Sequence, residues 1–341
     1  MDKKLILAVA GAGKTTYLIN KLNEIESFVV ITYTINNYKS IREAVMDRFG
    51  YIPKNIKIYT YFSFLYNFCY KPFERKFDSK GLIFGEIQEK RAKSSQFTYY
   101  ANKKNKKIYA CRLAKLCNEN IIDKIIERIQ RYFDYLFIDE IQDFAGNDFN
   151  FIKELERCNI NILYVGDFNQ HTFNTSTDRN TNKNIFKIYE NYIKNLCNDN
   201  LIFDNKSLIK SRRCSKSVCD FVRSKLDIEI YSYSERDSEI KELGSEEEIS
   251  KVFKNDNIVK LFYRNSKEYR GKTDNWGDCK GKTYNDICVV LNKKSYKLYK
   301  ENKLKELVGI SKNKFYVACT RTRNNLYFVE EDKIKKYKKL V

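Results

Sequence analysis

Three short stretches hold the side chains best suited to chemistry. The first is AGAGKTT, residues 10–16, which follows an apolar run over residues 5–9. Gly11 and Gly13 can take backbone angles that larger residues resist. Their amides can then turn toward a phosphate at the start of the following helix. Lys14 would reach the β- and γ-phosphates, and the Thr15 hydroxyl would ligate Mg²⁺. The phosphate-loop pattern normally opens on glycine, where this chain has Ala8. A position that only has to be small tolerates that change. The second stretch is DEIQD, residues 139–143, at the end of another apolar run. An acidic pair at the C-terminal end of a parallel strand sits where open α/β sheets hold their ligands. Asp139 can hold Mg²⁺ opposite Thr15, and Glu140 can orient and deprotonate an attacking water. The third stretch is VGDFNQ, residues 165–170, in which the Gln170 amide can sense the γ-phosphate.

These groups need strands that end together. Apolar runs at 5–9, 28–32, 56–59, 135–138 and 162–165 predict strands, and residues 15–22 predict a helix leaving the phosphate loop. A phosphate loop, a strand ending in Asp-Glu and a strand ending in Gly-Asp are the layout of a RecA-like ATPase core. Residues 66–130 differ in character, being lysine-rich with helical periodicity toward the end. They are expected to form a small, basic, mostly helical inserted subdomain. From residue 200 a second block begins, with the adjacent arginines Arg212 and Arg213, further strands, and Arg321 and Arg323 near the end. It has no phosphate loop of its own. The expected organisation is a first lobe over 1–65 and 131–199, the insertion over 66–130, and a second lobe over 200–341. The fold class is α/β, with two RecA-like parallel-sheet lobes.

Composition narrows the partners. The chain has 341 residues, enough for two or three domains with real cores. Its formal net charge of +20 favours a polyanion, nucleic acid or an anionic membrane surface. Abundant Tyr and Phe among the lysines suit single-stranded nucleic acid, whose bases stack on aromatic rings. The ten cysteines include no C-x-x-C pair and there is one histidine, His171, so no zinc or iron–sulfur site is expected. A single histidine also argues against Ser-His or Cys-His nucleophilic catalysis. Free thiols without a signal peptide point to a reducing cytoplasm. No apolar run is long enough to span a bilayer.

The order of these stretches resembles the UvrD/Rep-like branch of superfamily 1 helicases. AGAGKTT, with Ala12 and Thr16 beside the residues already named, is similar to motif I. ITYT (31–34), holding Thr32 and Tyr33, is similar to motif Ia. TYFSF (60–64), holding Thr60 and Tyr61, resembles the next DNA-contacting motif. DEIQD resembles motif II in the form typical of this branch. VGDFNQ resembles motif III, SRRCS motif IV, CKGKTY motif V (with Gly281) and YVACTRTR motif VI. The resemblance implies ATP and Mg²⁺ as cofactors and single-stranded DNA as the track. It implies phosphate and nucleotide contacts from Gly11, Ala12, Gly13, Lys14, Thr15, Thr16, Arg212, Gln142 and Gly281. Asp139 and Thr15 would hold the metal, and Glu140 would be the base. Gln142 and Gln170 would couple nucleotide state to DNA. Arg213 and Arg321 would be arginine fingers. Thr32, Tyr33, Thr60, Tyr61 and Phe173 would contact DNA.

Several positions depart from that pattern. The first strand starts almost at Met1, so the adenine-reading glutamine motif is expected to be absent. Arg212 replaces the adenine-stacking tyrosine and can stack as a cation. Thr283 replaces the motif V glutamate, and Phe62 replaces a histidine often found after motif Ia. The large insertion usual between motifs IV and V is missing. The expected activity is ATP-dependent 3′→5′ translocation on DNA, with helicase action. The alternative is a DNA-stimulated ATPase that regulates or loads a partner nuclease in recombination or phage defence. A small-molecule kinase fits less well, because the second block supplies arginines rather than a second substrate site.

Overall fold

The computed structural model describes residues 1–74, 77–85, 87, 92–93, 95–172, 181–182, 184–186, 188–197 and 201–339. They divide into two compact units. One comprises Met1–Ile6, Thr15–Gly166 and Phe173–Asp204; the other comprises Leu7–Lys14, Asp167–Thr172 and Asn205–Val341. The phosphate-loop segment and the residues after Gly166 are thus grouped with the C-terminal half.

The N-terminal unit is built on a six-stranded sheet in the order Ile56–Thr60, Phe28–Thr32, Tyr135–Asp139, Asn161–Gly166, Lys3–Leu7, Ile202–Asp204. Phe28–Thr32 is buried along its whole length, as befits a strand covered on both faces. It runs parallel to Ile56–Thr60 and to Tyr135–Asp139, and the latter runs parallel to Asn161–Gly166. Thr32 lies opposite Asp139, and Asp139 opposite Val165, so these strands end in register at one sheet edge. The helix Ile35–Phe49 returns the chain. The Thr34 side chain accepts from Asn37 N–H at its start, and Gly50, at φ +78°, ends it in the left-handed region.

The segment expected to be an insertion holds both helix and sheet. Leu82–Ile83, Lys107–Tyr109 and Ala101–Asn102 form a three-stranded sheet. The helices Ala110–Asn120 and Ile122–Tyr132 follow it and lead back to the main sheet. Ala110–Asn120 packs on Gly146–Leu155, so it belongs to the body of the unit.

The C-terminal unit has a parallel sheet in the order Ile240–Glu242, Leu326–Glu330, Asp286–Leu291, Ile258–Phe262, Thr273–Asn275. Its helices begin at well-formed caps. Ser215 accepts from Val218 N–H ahead of Lys216–Leu226, and Ser245 with Glu248 makes a capping box ahead of Glu246–Lys254. Ala8, Val9, Ala10 and Ala12 join a core with Trp276, Phe315 and Phe328. Both units are α/β with mostly parallel sheets, the RecA-like architecture expected from the sequence.

Candidate nucleotide and nucleic-acid site

The first strand ends at Leu7, two residues earlier than its apolar run. Val9 N–H donates to Leu208 O and Ala12 N–H to Val9 O, which diverts the backbone from the sheet into a loop. Gly11 and Gly13 have φ of +73° and +86°. At Gly11 glycine is also required by space, since a Cβ there would lie 2.7 Å from Arg213 Cβ and from Ser211 Oγ. Arg212 N–H donates to Gly11 O, so the double-arginine stretch lies directly on the loop. Ala12 is buried, Lys14 and Thr15 are half-buried, and Thr16 is exposed on the helix Lys14–Ile19.

Tyr316, whose part was not foreseen from the sequence, ties this loop to the residues after Gly166. Its hydroxyl accepts from Ala10 N–H at 2.8 Å and donates to Asp167 Oδ2 at 3.1 Å. Gln170 donates to the same oxygen at 2.7 Å. The tyrosine stands five residues before Arg321 in YVACTRTR, but its long-range partners leave no local trace in the sequence.

The two candidate fingers lie together in the same unit. Arg321 is buried and donates to Val317 O at 3.0 Å and to Thr320 Oγ1 at 3.4 Å. Arg213 is half-buried and donates to Thr320 O at 3.2 Å. Burial, and then the positive charge of Arg321, lower the Arg213 guanidinium to about 10. The acceptors of this pair are neutral, while desolvated cations are stabilised by an anion. The setting fits phosphate oxygens. Arg212 is exposed, with its guanidinium 4.6 Å from the centre of the Tyr233 ring. Gly281, at φ +83°, sits in an exposed turn with open space around it.

In the N-terminal unit Asp139 ends its strand and is buried. Glu140 follows at φ +56°, a left-handed conformation that non-glycine residues adopt at a cost. Gln142, also buried, donates its side-chain N–H to Glu140 Oε2. Gly166 makes room for this arrangement, since a Cβ there would fall 2.3 Å from Gln142 Oε1. The carboxylate of Glu140 is therefore held by a buried neighbour.

Among the described residues no cluster of three or more His, Cys, Asp or Glu can hold a metal alone. Mg²⁺ bound with phosphates needs only one or two carboxylates and keeps several waters. Asp139 and the Thr15 hydroxyl fit that demand. No helix among the described residues is long and apolar enough to cross a membrane.

Two of the expected nucleic-acid contacts need correction. Tyr61 is fully buried and its hydroxyl donates to Asp148 at 3.0 Å, so its ring serves the core and offers no face to a base. Thr32 is likewise fully buried, within the sheet. Tyr33 and Thr60 are half-buried at the end of their strands. Phe173 lies outside the described residues. Phe62, half-buried, packs on Tyr33 and Tyr61 at centroid distances of 5.7 and 5.1 Å.

Residues 90–330 match the family described as the viral superfamily 1 RNA helicase core domain. The match takes in well over half of the chain, and the chain belongs to that family. Among solved structures it is similar to arterivirus nonstructural protein 10, a helicase, in its complex with DNA. That likeness has a TM-score of 0.51 and 12% identity, and covers 99% of this chain and 63% of that one. The same arterivirus helicase crystallised on its own gives a TM-score of 0.50 at 12% identity, covering 99% of this chain and 62% of that one. At such identities the likeness is one of fold, and the chain spans less than two thirds of those proteins. No curated protein sequence matches it.

Proposed function

We propose that the chain hydrolyses ATP with Mg²⁺ to drive its movement along single-stranded nucleic acid. The arginine pair carries this reading. Arg213 and Arg321 are desolvated, have neutral partners, and lie in the unit that holds Gly11 and the phosphate loop. Lys14 binds the terminal phosphates, and the arginines stabilise the charge that grows on the transferring group. Bound Mg²⁺ would neutralise phosphate charge from a position held by Thr15 and Asp139. Glu140, oriented by Gln142, accepts the proton of the attacking water. Tyr316 and Gln170 hold Asp167 and so fix the loop at Ala10. Arg212 on Tyr233 offers a flat cationic face to a nucleobase, in place of the usual tyrosine.

DNA as the track and 3′→5′ polarity are supported by the UvrD/Rep-like form of DEIQD and by the order of the motifs. The family's description names RNA helicases, which makes RNA the competing track. The test is the ATPase rate with no nucleic acid, with single-stranded DNA and with single-stranded RNA. Strong stimulation by DNA is expected. Robust hydrolysis that ignores both would overturn the proposal, and stimulation by RNA alone would overturn the DNA track.

A second reading, an ATPase subunit that loads or regulates a nuclease, is favoured by one observation. Between Arg213 and Lys280 the described elements are the helices and strands of the unit itself, with no added subdomain. Stimulated hydrolysis without strand separation, restored by a nuclease partner, would select it.

A further inference from the structure

We propose that Phe84, backed edge-on by Phe62, is a base-stacking position for single-stranded nucleic acid, supplied by the small three-stranded sheet. The inference rests on the reading of the chain as a nucleic-acid motor and adds to it a residue outside the motor motifs. Phe84 is 66% exposed, which is unusual for a phenylalanine at the end of a strand. Isolated exposed apolar residues need no explanation, but Phe84 is not isolated. Its ring lies 5.0 Å from Phe62 at an interplanar angle of 87°. Phe62 touches Tyr33 at 5.7 Å and Tyr61 at 5.1 Å, and Tyr61 meets Phe144 at 4.9 Å. A continuous file of rings therefore runs from the core, through the residue after Tyr61, to an exposed outer member. An edge-on neighbour fixes the orientation of a ring while leaving its face open. An open, oriented face is what a base requires.

Charge on the same small sheet identifies the occupant. Between residues 71 and 109 the sequence has eleven Lys and Arg against four Asp and Glu. Lys103, Lys104 and Lys106 are exposed on the turn that joins two of its strands, Lys107 is exposed at the start of the second, and Lys80 is exposed just before the strand leading to Phe84. Lys80 N–H donates to Lys106 O at 2.7 Å, which brings the lysine turn to one end of that strand while Phe84 stands at the other. The separation along the strand is roughly 13 Å, at about 3.3 Å per residue. Lysines for phosphates and a ring for a base, one strand-length apart, suit a single strand of nucleic acid. An apolar protein segment would make no use of these lysines, of which Lys106 lies 3.9 Å from Asp78. The sheet would add a grip on the strand beyond what the motor core provides.

The test is the affinity of the full chain for labelled oligo(dT) and oligo(U), measured by fluorescence anisotropy, for wild type, Phe84→Ala, Phe84→Leu and Phe84→Trp. Phe84→Ala should weaken binding about five- to a hundred-fold, the range for one stacked base. Phe84→Trp should keep it, and Phe84→Leu should fail much as alanine does. ATP hydrolysis without nucleic acid should be unchanged in all three variants, because the side chain is exposed and lies outside the motifs proposed to hold ATP. Wild-type affinity in Phe84→Ala would overturn the inference. Full rescue by leucine would also overturn it, pointing to an apolar protein contact. Failure of the wild type to bind either oligonucleotide would instead strike at the functional reading on which the inference rests.

Discussion

Glu140 is the residue at which backbone and side chain are both constrained. It occupies the left-handed region at φ +56° and receives a hydrogen bond from buried Gln142. Holding a non-glycine residue there costs about 1–3 kcal/mol, which the buried Gln142 and the close packing at Gly166 sustain. Replacing Glu140 with Gln keeps the shape and would remove the proposed base. Turnover should fall by about 10²–10⁴, the usual share of general base catalysis, while ATP affinity changes little. An equal loss in nucleotide affinity, measured by equilibrium binding, would refute the assignment. Arg321 makes the complementary case. Its bonds to Val317 O and Thr320 Oγ1, at the end of the helix Gly309–Cys319, aim the guanidinium without neutralising it. Arg321→Ala should lower turnover by about 10³–10⁵ with little change in ATP affinity, since a finger acts on the transition state. Arg321→Lys should also be slow, because an ammonium lacks the rigid fork. Normal single-turnover rates in either variant would remove Arg321 from the catalytic set.

At the scale of elements, the helix Gly146–Leu155 packs on Ala110–Asn120 and has a buried acid near each end, Asp148 and Glu156. Burial raises Asp148 from its ordinary 3.8 to about 7, against the opposing effect of the Tyr61 hydroxyl, and burial raises Glu156 from 4.5 to about 7. Between those limits the folded chain keeps protons that the unfolded chain has lost. Their contribution to stability is therefore full below about pH 4 and is lost as pH rises toward 7. Asp148→Asn keeps an acceptor for Tyr61 and removes the titration. Its melting temperature should exceed that of the wild type at pH 8, by the equivalent of roughly 2–4 kcal/mol, and the two should converge near pH 4. A constant difference between the two across that range would show that Asp148 does not titrate as described. This helix also marks the limit of what the sequence discloses. Phe28–Thr32 and Tyr135–Asp139 were legible because unbroken apolar runs mark buried parallel strands. Leu82–Ile83 and Ala101–Asn102 were not, because two residues show no period. The phosphate loop was legible from local spacing, but its link through Tyr316 to Asp167 spans 149 residues. Tyr61 looked like a base contact because its motif position is local, whereas its burial depends on Asp148, 87 residues away.

At the scale of the whole molecule, charge and the inserted segments would decide what kind of motor the proposed cycle drives. A net charge of +20 should make binding to single-stranded nucleic acid tolerant of sequence and steeply dependent on salt, as lysines displace counterions from phosphates. Movement along one strand needs a nucleotide cycle and contacts that grip and release. The reading supplies the first through Lys14, Glu140, Arg213 and Arg321, and the second through Tyr33, Phe62 and the lysines. Separating a duplex needs something more, because each stacked step costs about 0.6–2.2 kcal/mol and the duplex ahead has to be held or wedged. Among the described residues the candidates are few. The first inserted segment contributes three strands of two or three residues each, and the stretch from Arg213 to Lys280 is taken up by the elements of the C-terminal unit. A lone chain should therefore displace a bound block from single-stranded DNA readily and separate a long duplex poorly. A partner protein, or several copies on one strand, should restore unwinding by supplying the missing hold. The measurement pairs two assays at limiting protein: displacement of a bound block, and strand separation on a duplex with a single-stranded 3′ tail. A 5′-tailed duplex serves as the polarity control. Efficient, processive unwinding by one chain would mean that the small lysine-rich sheet grips duplex as well as single strand. Its weight in the mechanism would then shift from holding the track to opening it.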